Sequence, residues 1–280
     1  MEEKKITILD IIARKRSGAK ITMLTAYDFP WAVMVDSSGI DMILVGDSLG
    51  MVVLGYPDTV SVTMEEMIHH TKTVCRSVKR ALVVGDMPFG SYNVSSEQAV
   101  ANANRFMKEA RADCVKMEGG KSAAPIIRSV VQAGIPVQGH IGLTPQTASA
   151  LGGFKVQGKS AKAARALIED AEALEEAGCF SVVLEAVPAP VAKIITERIS
   201  IPTIGIGAGI HCDGQVLVTY DMVGLFERFT PKFVKQYAHI ARTIAEAISA
   251  YKEDVENGRF PEAAHSFTMP VDELKKLEDK

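Results

Sequence analysis

Cys114-Val115-Lys116-Met117-Glu118-Gly119-Gly120 is a short run in which apolar and charged residues alternate. Side chains along a strand point to opposite faces by turns. Lys116 and Glu118 therefore share one face, and Val115 and Met117 the other. If the apolar face packs under helices, both charges point into the interior of a parallel sheet or barrel. Burial there is costly unless the charges are paired or coordinated. The alternative from this stretch alone is a Lys–Glu pair on a solvated strand edge. The flanking sequence separates the two.

Working outward, eight apolar runs read as strands. They are Ile21–Ala26, Met42–Gly46, Ala81–Gly85, Cys114–Glu118, Pro136–His140, Ser181–Leu184, Pro202–Gly205 and Val216–Thr219. Helical patterns alternate with them at Pro30–Ser38, Thr63–Arg80, Ser95–Arg111, Ala123–Ala133, Ser160–Ala177 and Val191–Arg198. An amphipathic helix over residues 7–16 precedes the first strand and stops near Gly18. Thr63 with Glu66 makes a capping box, and Gly178 is a C-terminal stop. Pro231–Tyr251 carries Phe233, Tyr237, Ile240, Ile244, Ile248 and Tyr251 at helical spacing, which predicts a core or interface helix.

Most of the strand runs are continuously apolar, as parallel strands covered on both faces are. Eight such units predict an α/β fold, a (β/α)8 TIM barrel. Only Ile210–Gln215 separates the last two strands, so that crossover is abbreviated, and a doubly wound open sheet is the fallback. The expected organisation is an N-terminal helix over 1–20, a catalytic barrel over 21–255, and a tail over 256–280. The tail holds Gly258, Pro261, Pro270 and a short charged helix.

Composition narrows the function. The chain has 280 residues, is 47% hydrophobic and 23% charged, and carries a net charge of -3. With no basic excess, a nucleic-acid partner or a polybasic membrane surface is not expected. The Met-Glu-Glu-Lys-Lys start has no apolar core behind it, and no run is long enough to span a bilayer. Cys75, Cys114, Cys179 and Cys212 are far apart, with no zinc or disulfide spacing. A reduced, cytoplasmic protein is the expectation.

In a parallel barrel, catalytic groups sit at the C-terminal ends of the strands. Here Asp47, Asp86, Glu118 and Glu185 occupy four of those ends. A single acid so placed is ordinarily a helix cap. Four together disfavour one another's ionisation and call for a cation, either Lys116 or a divalent metal. All-oxygen ligands suit Mg2+, which keeps waters and takes ligands from substrate. His140 ends the fifth strand as a hydrogen-bonding group near the site or as a satisfied strand-end histidine, and His69 and His70 read as solvated. Gly205-Ile206-Gly207-Ala208-Gly209 fails the dinucleotide fingerprint, having Ile210 where glycine is needed. It reads as a phosphate loop or as a close backbone approach to the site. Leu151–Lys159, rich in glycine, is a lid or a surface loop.

Several motifs in order resemble the ketopantoate hydroxymethyltransferases (3-methyl-2-oxobutanoate hydroxymethyltransferases). They are Met23–Asp28, Leu44–Met51, Asp86–Phe89, Val115–Gly120, Gly139–Gln146, Gly153–Gly158, Leu184-Glu185 and Ile204–Gly209. The resemblance runs from about residue 5 to 260. It implies a Mg2+-dependent barrel of the phosphoenolpyruvate/pyruvate type. Such an enzyme moves a one-carbon unit from 5,10-methylenetetrahydrofolate to 3-methyl-2-oxobutanoate, giving 2-dehydropantoate for pantothenate synthesis. It further implies that Asp47, Asp86 and Glu118 hold the metal, directly or through water. Ser48 and Lys116 would bind the oxo acid beside Asp47, Asp86 and His140, with Glu185 the general base. The family is a homo-oligomer built from dimers, commonly a decamer. Rival readings are another Mg2+ enolate lyase, a Schiff-base aldolase using Lys116, and a non-catalytic binding barrel.

Overall fold

The computed structural model describes residues 4–150 and 152–278. Eight parallel strands close into a barrel in sequence order. They are β1 (Ile21–Thr25), β2 (Met42–Val45), β3 (Leu82–Asp86), β4 (Cys114–Glu118), β5 (Val137–Gly142), β6 (Ser181–Glu185), β7 (Thr203–Ile206) and β8 (Gly214–Leu217), and β8 pairs back onto β1. Closure excludes the open sheet. The helices are α1 (Ile8–Ser17), α2 (Phe29–Ser37), α3 (Leu49–Val52), α4 (Met64–Cys75), α5 (Ser96–Arg105), α6 (Ala124–Gln132), α7 (Ala161–Ala177), α8 (Ala189–Arg198), α9 (Thr219–Met222), α10 (Ile240–Glu256) and α11 (Val271–Glu278). No helix among the described residues is long and apolar enough to cross a membrane.

Alternation along the strands sorts side chains into two layers. Met42, Leu44, Leu82, Val84 and Cys114 pack inside the barrel. Ile43, Val45, Val83, Val115 and Met117 pack outward beneath the helices. Lys116 and Glu118 follow Cys114 on the inward face and are buried, so the wet strand edge is excluded.

One end of the barrel is sealed. Thr7 and Asp10 form the capping box that starts α1, and Gly18 ends it in the left-handed conformation. Ile6 and Ile11 join the inner core from below. Three acids at this end have basic partners: Arg14 lies 2.6 Å from Asp41, Lys15 2.8 Å from Asp213 and Lys5 2.7 Å from Asp113. Charge is balanced here, as befits the end of a barrel that serves stability.

The structure corrects three element assignments and the placement of one histidine. The helix expected over Thr63–Arg80 keeps its capping box but stops at Cys75. The eighth strand is Gly214–Leu217, and Thr219 already begins α9. His70 is half-buried, its ring nitrogen on the Tyr27 carbonyl. The helix expected over Pro231–Tyr251 is Ile240–Glu256, with Pro231–His239 outside it, and none of its residues is buried. Apolar spacing ran unbroken through Phe233 and Tyr237, but those side chains belong to a looping segment.

That last helix leaves a gap. In β2 to β5 every residue is buried, apart from Gly142 at the end of β5, whereas in β1 and β8 Thr22 and Gln215 are exposed and Leu24 and Leu217 half-buried. A groove of about 1000 Å³ runs along this bare wall, between α2 and the β8 end, lined by Leu24, Trp31, Met34, Val35, Leu217 and Met222 among others.

Candidate active site

Strand register brings the charges together at the open end. Asp86 on β3 stands opposite Lys116 on β4, and Glu118 opposite His140 on β5. Glu185 on β6 stands opposite Gly142, two residues past His140 and on its face. Lys116 Nζ donates to Asp86 Oδ1 at 2.6 Å and lies 3.7 Å from Glu118 Oε1. His140 follows, Nδ1 3.3 Å from Glu118 Oε1 and Nε2 3.2 Å from Glu185 Oε2. Both contacts are at ion-pair distance but off the angle of a hydrogen bond. The result is a line of alternating charge across four strands: Asp86, Lys116, Glu118, His140, Glu185.

Asp47, after β2, joins from the side. Its N–H donates to Asp86 Oδ2 at 3.2 Å, and Gln146 Nε2 donates to its Oδ2 at 2.9 Å. Gln146 also donates its backbone N–H to Glu118 Oε2 at 3.1 Å and accepts from the Tyr92 hydroxyl at 2.7 Å. One buried amide thus orients two acids. Ser48 Oγ lies 2.8 Å from the Tyr27 hydroxyl. Gln146, Tyr92 and Tyr27 were not singled out from the sequence, although Gln146 closes the Gly139–Gln146 motif and Tyr27 lies within Met23–Asp28.

Electrostatics follow from this packing. Burial, and after it the Asp86 charge, push the Asp47 carboxyl well above its ordinary range. Burial raises Asp86 as well, and the Lys116 ammonium offsets only part of that. For Glu118, burial is outweighed by Lys116, His140 and the Gln146 N–H, which hold it low. Burial would discharge Lys116, but Asp86, Glu118 and Asp47 together keep it more firmly protonated than a free lysine. Burial and Lys116 also oppose the His140 cation, yet Glu118 and Glu185 prevail and lift it to about 9. A paired ammonium is a poor nucleophile, so nothing here favours the Schiff-base reading.

Three carboxylates share one ammonium on this side, and Asp47 and Asp86 carry the shortfall. Two hard oxygen donors short of positive charge fit Mg2+, which needs only one or two carboxylates beside water and substrate. Asp47 and Asp86 would hold it, and Glu118, turned toward Lys116 and His140, would act through water. Among the described residues, no three His, Cys, Asp or Glu side chains already form a metal-holding group.

A cavity of about 620 Å³ opens above, lined by Ser48, Lys116, His140 and Glu185. Asp47, Asp86 and Glu118 are buried and absent from that lining. Phe154, Lys155 and Val156 of the predicted lid stand at its rim; Leu151 lies outside the described residues. Gly205–Gly209 brings the backbone close to its neighbours, since a Cβ on Gly207 would meet the Phe233 ring.

A sequence profile of the ketopantoate hydroxymethyltransferase family matches residues 5–263. The 3-methyl-2-oxobutanoate hydroxymethyltransferase of Syntrophobacter fumaroxidans is 59% identical over 281 residues, covering 99% of each chain. That of Heliobacterium modesticaldum is 59% identical over 274 residues, covering 98% of this chain and 99% of its own. Among solved structures, 2,3-dimethylmalate lyase, a PEP mutase/isocitrate lyase superfamily member, superposes with a TM-score of 0.59. It is 13% identical over 98% of this chain and 99% of its own, a likeness of fold.

Proposed function

Because the chain belongs to the ketopantoate hydroxymethyltransferase family, we propose that it transfers a hydroxymethyl group to 3-methyl-2-oxobutanoate. It is an enzyme, a transferase. The finer reading has 5,10-methylenetetrahydrofolate as donor, Mg2+ as the metal at Asp47, Asp86 and Glu118, and 2-dehydropantoate as product. The observation that carries it is the buried line of alternating charge that ends in the cavity at Glu185.

Glu185 is the general base. It borders the cavity with its carboxylate 3.2 Å from the His140 ring, so the imidazolium holds it in place beside the substrate. It removes the C3 proton of the oxo acid, a step for which a positioned base contributes about 10²–10⁴-fold. Lys116, fixed by Asp86, supplies a preorganised positive charge toward the substrate's carboxylate and developing oxyanion. Ser48 offers a hydroxyl whose direction Tyr27 sets. Mg2+, when bound, supplies Lewis acidity to the 2-oxo acid, worth several kcal/mol. C3 then forms its bond to the one-carbon unit as that carbon's two bonds to the folate nitrogens break. Water supplies the hydroxyl group, and its other proton and the one taken from C3 go to those nitrogens, releasing tetrahydrofolate.

The test is Mg2+-dependent deuterium exchange at C3 of 3-methyl-2-oxobutanoate, run without folate. Glu185→Gln should lower the exchange rate by about 10²–10⁴-fold while oxo-acid binding persists. Wild-type exchange in the variant removes Glu185 as base, and exchange indifferent to a chelator removes the metal.

The same reading includes a homo-oligomer, a decamer built from dimers, working in the cytoplasm. The four cysteines are unpaired, as a reducing compartment requires. Support for the dimer comes from α10. Ile244, Ile248, Tyr251 and Val255 form one apolar face, 44–63% exposed. The helix start is pinned by Tyr237, Ile240 and Ala241 N–H groups donating to the carbonyls of Met222, Val223 and Gly224. Held so, α10 does not cover its own bare β1–β8 wall. A second copy's α10 fits the groove there, and the exchange is reciprocal.

A further inference from the structure

The cavity is larger than a five-carbon acid needs. At about 620 Å³ it is of the size that encloses a drug-sized molecule. Ser48, Lys116, His140 and Glu185 account for one end. The remainder is lined mainly by apolar groups, including Val52, Val218, Phe226, Phe229 and Phe233, with Lys155 and Lys232 at the rim. Within that apolar part stands one acid, Asp221. It sits on α9, just past β8, and is 7% exposed. Burial is the sole influence on its carboxyl, which it raises to about 6; no described residue supplies a hydrogen bond or a countercharge. A carboxylate held in an apolar wall with no partner, facing a cavity, is costly unless a ligand completes it.

We propose that Asp221 binds the one-carbon donor by the edge of its pterin. A reduced pterin presents a ring N3–H beside a 2-amino group, two parallel donors that match the two oxygens of a carboxylate. Its flat faces suit the surrounding phenylalanines. Its glutamyl tail carries carboxylates toward the mouth, where Lys155 and Lys232 stand. The assignment rests on the folate reading above, and it gives the site two floors: oxo acid on the strand ends, pterin against α9.

Asp221→Asn replaces one acceptor by a donor that opposes the pterin edge. Tetrahydrofolate Kd and the KM for methylenetetrahydrofolate should rise by about 10–100-fold. C3 exchange of the oxo acid, measured without folate, should stay within about twofold and certify the fold. Asp221→Ser, which removes the carboxylate without adding an amide, should show the same split. Unchanged donor KM and Kd in both variants overturn the assignment, and so does loss of exchange in both, which would place Asp221 with the oxo acid or the scaffold. Wild-type enzyme that exchanges C3 yet never turns over with methylenetetrahydrofolate refutes the folate reading itself.

Discussion

Asp221→Asn should make the unliganded enzyme more stable at neutral pH. In the folded chain this carboxyl titrates at about 6, against an ordinary value of 3.8. The folded state therefore binds that proton more tightly than the unfolded state. Above about pH 6 the ionised side chain weakens the fold. As pH falls from about 6 toward 3.8 the penalty fades, because both states are then protonated. The difference between the two values corresponds to roughly 3 kcal/mol. One side of the carboxylate meets the water of the cavity, which screens the effect to about 1–2 kcal/mol. Asparagine keeps the shape and removes the charge. Thermal unfolding without ligands at equal protomer concentration should show the variant melting about 2–5 °C higher near pH 7.5, with the gain gone near pH 4. No gain at neutral pH, or a gain only in acid, would refute the reasoning. A variant that is both sturdier and poorer at holding the donor identifies a residue kept for binding.

Two further perturbations address other parts of the molecule. Placing aspartates at Ile244 and Ile248 together should abolish helix exchange and lower the mass of the assembly in sedimentation; an unaltered mass would show that α10 joins no copies. Gly142 has φ +95°, and a Cβ there would collide with the Glu185 carbonyl. Gly142→Ala should cost roughly 1–3 kcal/mol of stability and slow C3 exchange by moving the base; wild-type melting and exchange would mean the strand end absorbs the methyl.

The barrel and the inward lysine–glutamate pair were legible because each depends on local pattern. Val115 and Met117 alternate with Lys116 and Glu118, and a period of two fixes which pair faces inward. What stayed hidden depends on register between strands distant in sequence. That Glu118 engages His140, and His140 Glu185, follows from pairings of β4 with β5 and β5 with β6 that no single run displays. Gln146 was invisible for a related reason: an amide in a short turn gives no periodic signal, yet two of its polar contacts orient acids. The last helix misled at its start because apolar spacing records that a face is to be covered, not what covers it. Phe233 and Tyr237 continued the helical rhythm while serving a looped segment. Asp221 gave no warning in the sequence, since its meaning lies in the absence of a partner.

The plug that α1 drives into the base of the barrel turns the reaction chamber into a blind well. The way out then lies at the open end, where Phe154, Phe229 and Lys232 line the cavity. A donor seated against α9 would stand between the strand ends and that opening. The keto acid must then go in first, and the spent folate must come out before the lengthened acid can follow. Excess tetrahydrofolate would accordingly cork the vessel with product still inside, so turnover would slow without any dedicated regulatory site.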